Sequence, residues 1–181
     1  MKNKQKNYNN LDELINDMQS KENKFKKIFK IIQVAFFLFI FIYAAIFLTS
    51  RNTAYMLAGG CYITAFIFFI VYAHKYLKKY EAINYSESIK KVLEDAELRY
   101  RKYNVDILIV LAGVLFINAA TLLVTISKFS DKYASFKLVL IVEVVFLLIV
   151  GVSWSLGVLV WEKDNKPIWL SAKKLLRELE E

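Results

Sequence analysis

Residues that turn, staple or catalyse are almost missing from this chain. In 181 residues there are five glycines, one proline, one cysteine and one histidine. So little glycine and proline argues against a loop-rich or many-stranded fold, because those residues supply the backbone angles of tight turns. Cys61 alone cannot close an internal disulfide, and Cys61 with His74 falls short of a zinc ligand set. No G-x-G-x-x-G, Walker loop, C-x-x-C or H-E-x-x-H run occurs. Nothing positions a nucleophile against a base, so no cofactor, no metal and no enzymatic activity are expected.

Apolar side chains are what the chain has in excess. Hydrophobic residues make up 57% of it, with 14 Phe, 11 Tyr and a mean hydropathy of +0.36, too apolar for an ordinary soluble domain. A helix needs ~20 apolar residues to cross a ~30 Å hydrocarbon core. Four runs qualify: 31–49, 54–73, 107–126 and 138–161. A closed barrel is the other spanning solution, but its strands alternate polar and apolar residues and these runs do not. The expected fold is all-α, a four-helix transmembrane bundle. The first run exceeds a signal-peptide core, begins some thirty residues in and is followed by no small-x-small cleavage site, so it reads as a retained helix.

Basic residues set an orientation. Residues 1–30 carry eight Lys and Arg, the connector 74–104 eight more, and the tail 162–181 five. The two remaining loops carry Arg51, and Lys128, Lys132 and Lys137. Twenty-one against four places both termini and the long connector in the cytoplasm. The net charge of +8 therefore faces a membrane surface, and nucleic acid is not an expected partner, since the basic residues hug span ends among acidic ones.

Four residues would close a turn between spans two and three, yet the chain spends HKYLKKYEAINYSESIKKVLEDAELRYRKYN there. Tyr72, Tyr76 and Tyr80 recur on one helical face, so span two is expected to run on past the membrane. Asn84-Tyr85-Ser86 supplies turn chemistry, with Ser86 as the expected N-cap and Glu87 in the first turn. Ile89, Val92, Leu93, Ala96, Tyr100 and Tyr103 then form an apolar stripe leading to span three. The expected form is a cytoplasmic helical hairpin whose arms prolong spans two and three. Leu11, Leu14, Ile15, Met18, Phe25 and Phe29 make a second stripe in the amphipathic segment 1–30. Ile168, Ala172, Leu175, Leu176 and Leu179 make a third in the amphipathic tail helix, where Pro167 suits a first turn. Burying a Leu-sized side chain is worth ~1.5–3 kcal/mol, so these segments should gather into one cytoplasmic layer. That layer stabilises the bundle, presents the connector stripe to a soluble protein, or lies on anionic lipid.

Within the spans, Glu143 draws attention, about five residues or roughly 8 Å inside span four. An ionisable group there defaults to a functional candidate. Depth matching groups it with Asn118 and Thr121 of span three, Tyr43 of span one and Tyr62 of span two. Burial disfavours the charged form, so a protonated, donating Glu143 is expected. The group serves either as interhelical glue or as a proton or ion site. Small-residue pairs (Gly60/Thr64, Cys61/Ala65, Gly151/Ser155, Ser153/Gly157) fit close packing within the bundle, or else between copies of the chain.

The Asn84-Tyr85-Ser86 turn and the Ala96-Glu97-Leu98-Arg99-Tyr100 helix end between spans two and three resemble small four-span membrane proteins of Bacteroidota, as does the tail WEKDNKPIWLSAKKLLRELEE. The resemblance covers the whole layout and implies a bacterial inner-membrane protein, with no activity attached. The functional expectation is a non-enzymatic scaffold or regulator working through its cytoplasmic helices. Its partners would be lipid, a soluble cytoplasmic protein or a further copy of the chain. The alternative is a homo-oligomeric conduit or effector built around Glu143.

Overall fold

The computed structural model describes residues 11–102, 106–131 and 134–179, and among these every regular element is helical. Helix α1 spans Leu11–Thr49, α2 Thr53–Glu81, α3 Ile89–Arg99, α4 Ile107–Phe129 and α5 Ser135–Val160. A π-helical turn, Trp161–Asn165, joins α5 to α6, Lys166–Glu178. Four helices are long and apolar enough to cross a bilayer: α1, α2, α4 and the continuous run Phe136–Glu178. The chain is thus an all-α, multi-pass membrane protein.

Helix α1 is a single element of 39 residues in which the N-terminal stripe and span one are joined without a break. Nothing between Leu11 and Thr49 would break it, since the stretch holds neither glycine nor proline. Helix α2 likewise runs past its apolar stretch to Glu81, as the tyrosine spacing leads one to expect. The connector departs from expectation at two points. The N-cap of α3 is Ser88, whose Oγ accepts from the Lys91 amide at 3.4 Å, and Ser86 instead donates its amide to Asn84 Oδ1 at 3.0 Å. Ser86 is drawn into that Asx turn, and the cap falls to the next serine. Nor does the second arm prolong span three: α3 stops at Arg99, Tyr100 closes its last turn onto Ala96 O, and α4 starts afresh at Ile107. The tail is helical, with Pro167 in the first turn of α6. It follows α5 with no loop between them, through a turn in which Lys166 N–H reaches back five residues to Trp161 O. Pro167 brings no N–H and its ring crowds the preceding turn. A widened turn immediately before it relieves that crowding and spares a break.

The chain divides into two compact units. One comprises residues 1–27, 79–104 and 153–181, and the other 28–78 and 105–152. The first unit has its own core: Leu14 and Met18 of α1, Val92, Leu93, Ala96 and Tyr100 of the connector, and Ile168, Ala172 and Leu176 of α6. Residues far apart in sequence thus share one apolar interior, as the three amphipathic stripes require.

In the second unit, α2 lays a small-residue seam (Ala58, Gly59, Ala65, Ala73) into the bundle. A Cβ on Gly59 would stand 3.3 Å from Tyr43 O and from Phe47 Cβ, so the backbones of α1 and α2 approach closely there. Phe36 packs against Phe66 and Phe69 with ring centroids 5.6 and 5.3 Å away, and Phe68 stacks on Phe116 at 5.8 Å. Asp106, just ahead of α4, is buried and pairs with Lys75 of α2.

Candidate functional site

Two groups of polar side chains stand out, one in each unit. In the first unit the group is built on Glu22. Its position continues the α1 stripe, four residues after Met18 and three before Phe25, so the helix turns a carboxylate inward where an apolar residue would fit. Glu22 is 2% exposed. Tyr85 O–H donates to Oε2, Tyr100 O–H donates to Oε1 at 3.4 Å, and Arg99 Nη2 lies 3.4 Å from Oε1. Arg99 enters from the end of α3 with its side chain only 7% exposed. That separation pairs the charges without a hydrogen bond, and Arg99 Nε and Nη2 are buried without hydrogen-bond partners among the described residues.

Burial pushes the Glu22 carboxyl above the ordinary glutamate range. The Tyr85 hydrogen bond, Arg99, Lys26 and Tyr100 pull it part of the way back. Both phenols are driven up, first by burial and then by the neighbouring Glu22 carboxylate, so they stay protonated and donate. Around this group Trp161 Nε1 donates to Tyr100 O at 2.9 Å, the Lys102 ammonium sits 5.6 Å from the Trp161 ring, and Lys21 donates to Asp164 O in the π turn. The carbonyl ladder opened by that turn therefore finds a donor on α1.

The expected interaction face is spent in the same place. Val92, Leu93, Ala96 and Tyr100 are buried in the core of this unit, and among the described stripe residues only Ile89, at the start of α3, is exposed. Tyr103 lies outside the described residues. As a docking face the stripe is corrected: α1 and α6 cover it, because three amphipathic segments of one chain lose less entropy in meeting than two separate molecules do. The outward side of α3 is Lys90, Lys91, Glu94, Asp95 and Leu98, all exposed.

In the second unit the polar residues gather at one level. Asn118 Nδ2 of α4 donates to Glu143 Oε1 of α5 at 2.8 Å. Tyr62 of α2 packs at a tilt against Tyr43 of α1 with ring centroids 4.3 Å apart, and its hydroxyl lies 3.2 Å from Thr121 Oγ1. Thr121 Oγ1 donates to Ile117 O at 2.9 Å. The five residues thus form two pairings, Glu143 with Asn118 and Tyr43–Tyr62 with Thr121. In the first, the donor is the Asn118 amide, and Asn118 Oδ1 is buried without a partner among the described residues.

Of the small-residue pairs, Thr64 turns its hydroxyl onto Gly60 O of its own helix at 2.9 Å. Among the described residues nothing lies within 4 Å of where a Cβ on Gly151 or Gly157 would stand. Side chains of α5 from Val144 to Gly157 are exposed except at Phe146 and Val150. No group of three or more His, Cys, Asp or Glu side chains comes together among the described residues.

Sequence reasoning passed over Glu22 and Arg99. The signal was positional: each occupies the apolar register of its stripe, where a charge has to be buried with a partner. The chain matches no family model, no curated protein and no solved structure.

Proposed function

We propose that this protein is a scaffold or regulator of a bacterial inner membrane, non-enzymatic, with the helical unit formed by its N-terminal segment, connector and tail as its working part on the cytoplasmic side. The observation that carries the reading is the closed core of that unit. Four residues of the connector are buried against α1 and α6, and an ionic group at Glu22 fixes Tyr85, Arg99 and Tyr100. A connector serving only as a tether between spans needs no such core. The distribution of basic residues, twenty-one against four, supports the cytoplasmic assignment.

With the apolar stripe turned inward, the surface offered to a soluble protein is the outer side of α3, where Leu98, 63% exposed, is flanked by Lys91, Glu94 and Asp95. A photo-crosslinking side chain at position 98 tests this in intact cells. A recurrent soluble protein is expected, lost when Lys91→Glu and Glu94→Lys are introduced together. Crosslinks to lipid or to copies of the chain alone would defeat the reading. Replacing the connector with a short Gly/Ser turn removes four core residues and is expected to unfold the unit.

A second reading, a homo-oligomeric conduit or effector, has one observation in its favour, the Asn118–Glu143 pair at membrane depth. Flux through liposomes carrying the purified chain separates the two, since a scaffold is silent in that assay.

A further inference from the structure

The pairing of Asn118 with Glu143 is satisfied at one end only. The amide gives one N–H to Glu143 Oε1 at 2.8 Å, while its own oxygen is buried and accepts from nothing among the described residues. An unserved carbonyl beside a carboxyl group is a cluster of acceptors in a place water does not reach.

The hydroxyls of Thr121 and Tyr62 are already committed. Thr121 has a single proton and donates it to Ile117 O, so at 3.2 Å the Tyr62 hydroxyl must be the donor to Thr121. Tyr62 of α2, and Tyr43 of α1 packed at a tilt against it, are the titratable neighbours in this layer among the described residues, where the partner of Glu143 is an uncharged amide. What such a site lacks is positive charge.

We propose that Glu143 and Asn118 form a binding site for one monovalent cation, a proton or Na+, held between the carboxyl group and Asn118 Oδ1. A proton on the second carboxyl oxygen donates to Oδ1 and closes an acid–amide ring with two hydrogen bonds. A sodium ion takes the same two oxygens as two of its ligands, hard donors suited to a hard cation, and keeps bound water for the rest of its shell. Both neutralise the carboxylate and serve the orphaned carbonyl. The site goes beyond both readings above, because occupancy requires neither flux nor a docked protein.

Thermal unfolding of the purified full chain in lipid vesicles tests it in two arms: pH varied without Na+, and NaCl exchanged for choline chloride at fixed pH. The cation that binds is expected to raise the unfolding midpoint of the wild type by about 2–4 °C, by linkage. Glu143→Gln should lose that increment in that arm and keep only the response owed to other groups such as Glu22, because its amide carries the missing donor permanently. Equal responses of wild type and variant, or no response in either arm, overturn the proposal.

Should Glu143→Gln fail to fold, labelling of the wild type by a membrane-soluble carbodiimide, which reacts with protonated carboxyl groups, gives the same answer at Glu143. A proton site loses labelling about tenfold per pH unit once the proton leaves, and a sodium site is protected by Na+ and not by choline. Labelling that follows neither pH nor Na+, or a Glu143 that stays unlabelled throughout, counts against it.

Discussion

Glu22 and Arg99 bring opposite charges into the small core of the first unit, and their energetics follow from what each would leave behind. A buried pair roughly balances its own desolvation, but removing one partner strands the other. Glu22→Ala is therefore expected to destabilise this unit by about 3–5 kcal/mol, and Glu22→Leu combined with Arg99→Leu far less. Denaturant titration followed by tryptophan fluorescence reads this directly, because Trp154, Trp161 and Trp169 all belong to that unit. The pH dependence has a definite sign. Burial raises the folded-state carboxyl above its unfolded value, so between the two values the folded chain binds more protons. Glu22 thus lowers stability as pH rises from the ordinary glutamate range through the raised value, and its contribution is flat above it. Glu22→Gln should remove that slope, and a slope unchanged in the variant would assign it to other groups. The two residues were hard to find in advance because a stripe is recognised by its apolar members. A charge at a stripe position reads as a gap, and only the packed neighbours Tyr85 and Tyr100 show that the gap is filled.

At the scale of the elements, glycine separates helices that pack from helices that do not. A Cβ on Gly113 of α4 would come within 2.6 Å of Phe69 Cε1, and that ring is held by Phe36 and Phe66. Gly113→Ala is expected to cost about 1–3 kcal/mol through overpacking. Gly151→Ala and Gly157→Ala meet open space and should gain up to about 1 kcal/mol from helix propensity. Thermal melts of the three variants in one vesicle preparation provide the check, and a loss at Gly151 would reveal a surface covering α5. The four spans were legible because run length is a property of the chain alone. Their continuations were only partly so. The tyrosine ladder announces α2 as far as Glu81, but the i to i+5 bond of the π turn leaves no mark in composition beyond Pro167. The break after α3 was misread as well, since the stripe of Ile89 to Tyr103 carries an apolar rhythm toward span three while the helix ends at Arg99 with Tyr100 as its cap.

For the molecule as a whole, the charge asymmetry makes a topological prediction. With Cys61 replaced by Ala, single cysteines at Arg51 and Asp131 should react with a membrane-impermeant maleimide on intact cells. Cysteines at Lys90 and Lys174 should react only after the membrane is opened. The reverse pattern would invert the orientation and remove the cytoplasmic assignment of the helical unit. The proposed orientation also accounts for the meeting of three separated segments: it puts their lysine- and arginine-rich loops on one face, where apolar stripes left in water have each other to cover them.

Fold class, the number of spans and the expected orientation rest on quantities that add up along the chain, namely apolar run length, helix-breaker content and basic-residue count. No packing is needed to evaluate them, so the sequence suffices. Pairing is different in kind. That Val92, Leu93, Ala96 and Tyr100 face α1 and α6 in place of a partner, that Glu22 meets Arg99, and that one end of Asn118 meets Glu143 while the other finds no partner among the described residues, depend on which faces are turned together in space. Side chains 25 to 78 residues apart along the chain come within hydrogen-bond reach there, and short-range directional contacts of that kind are decided by tertiary structure alone.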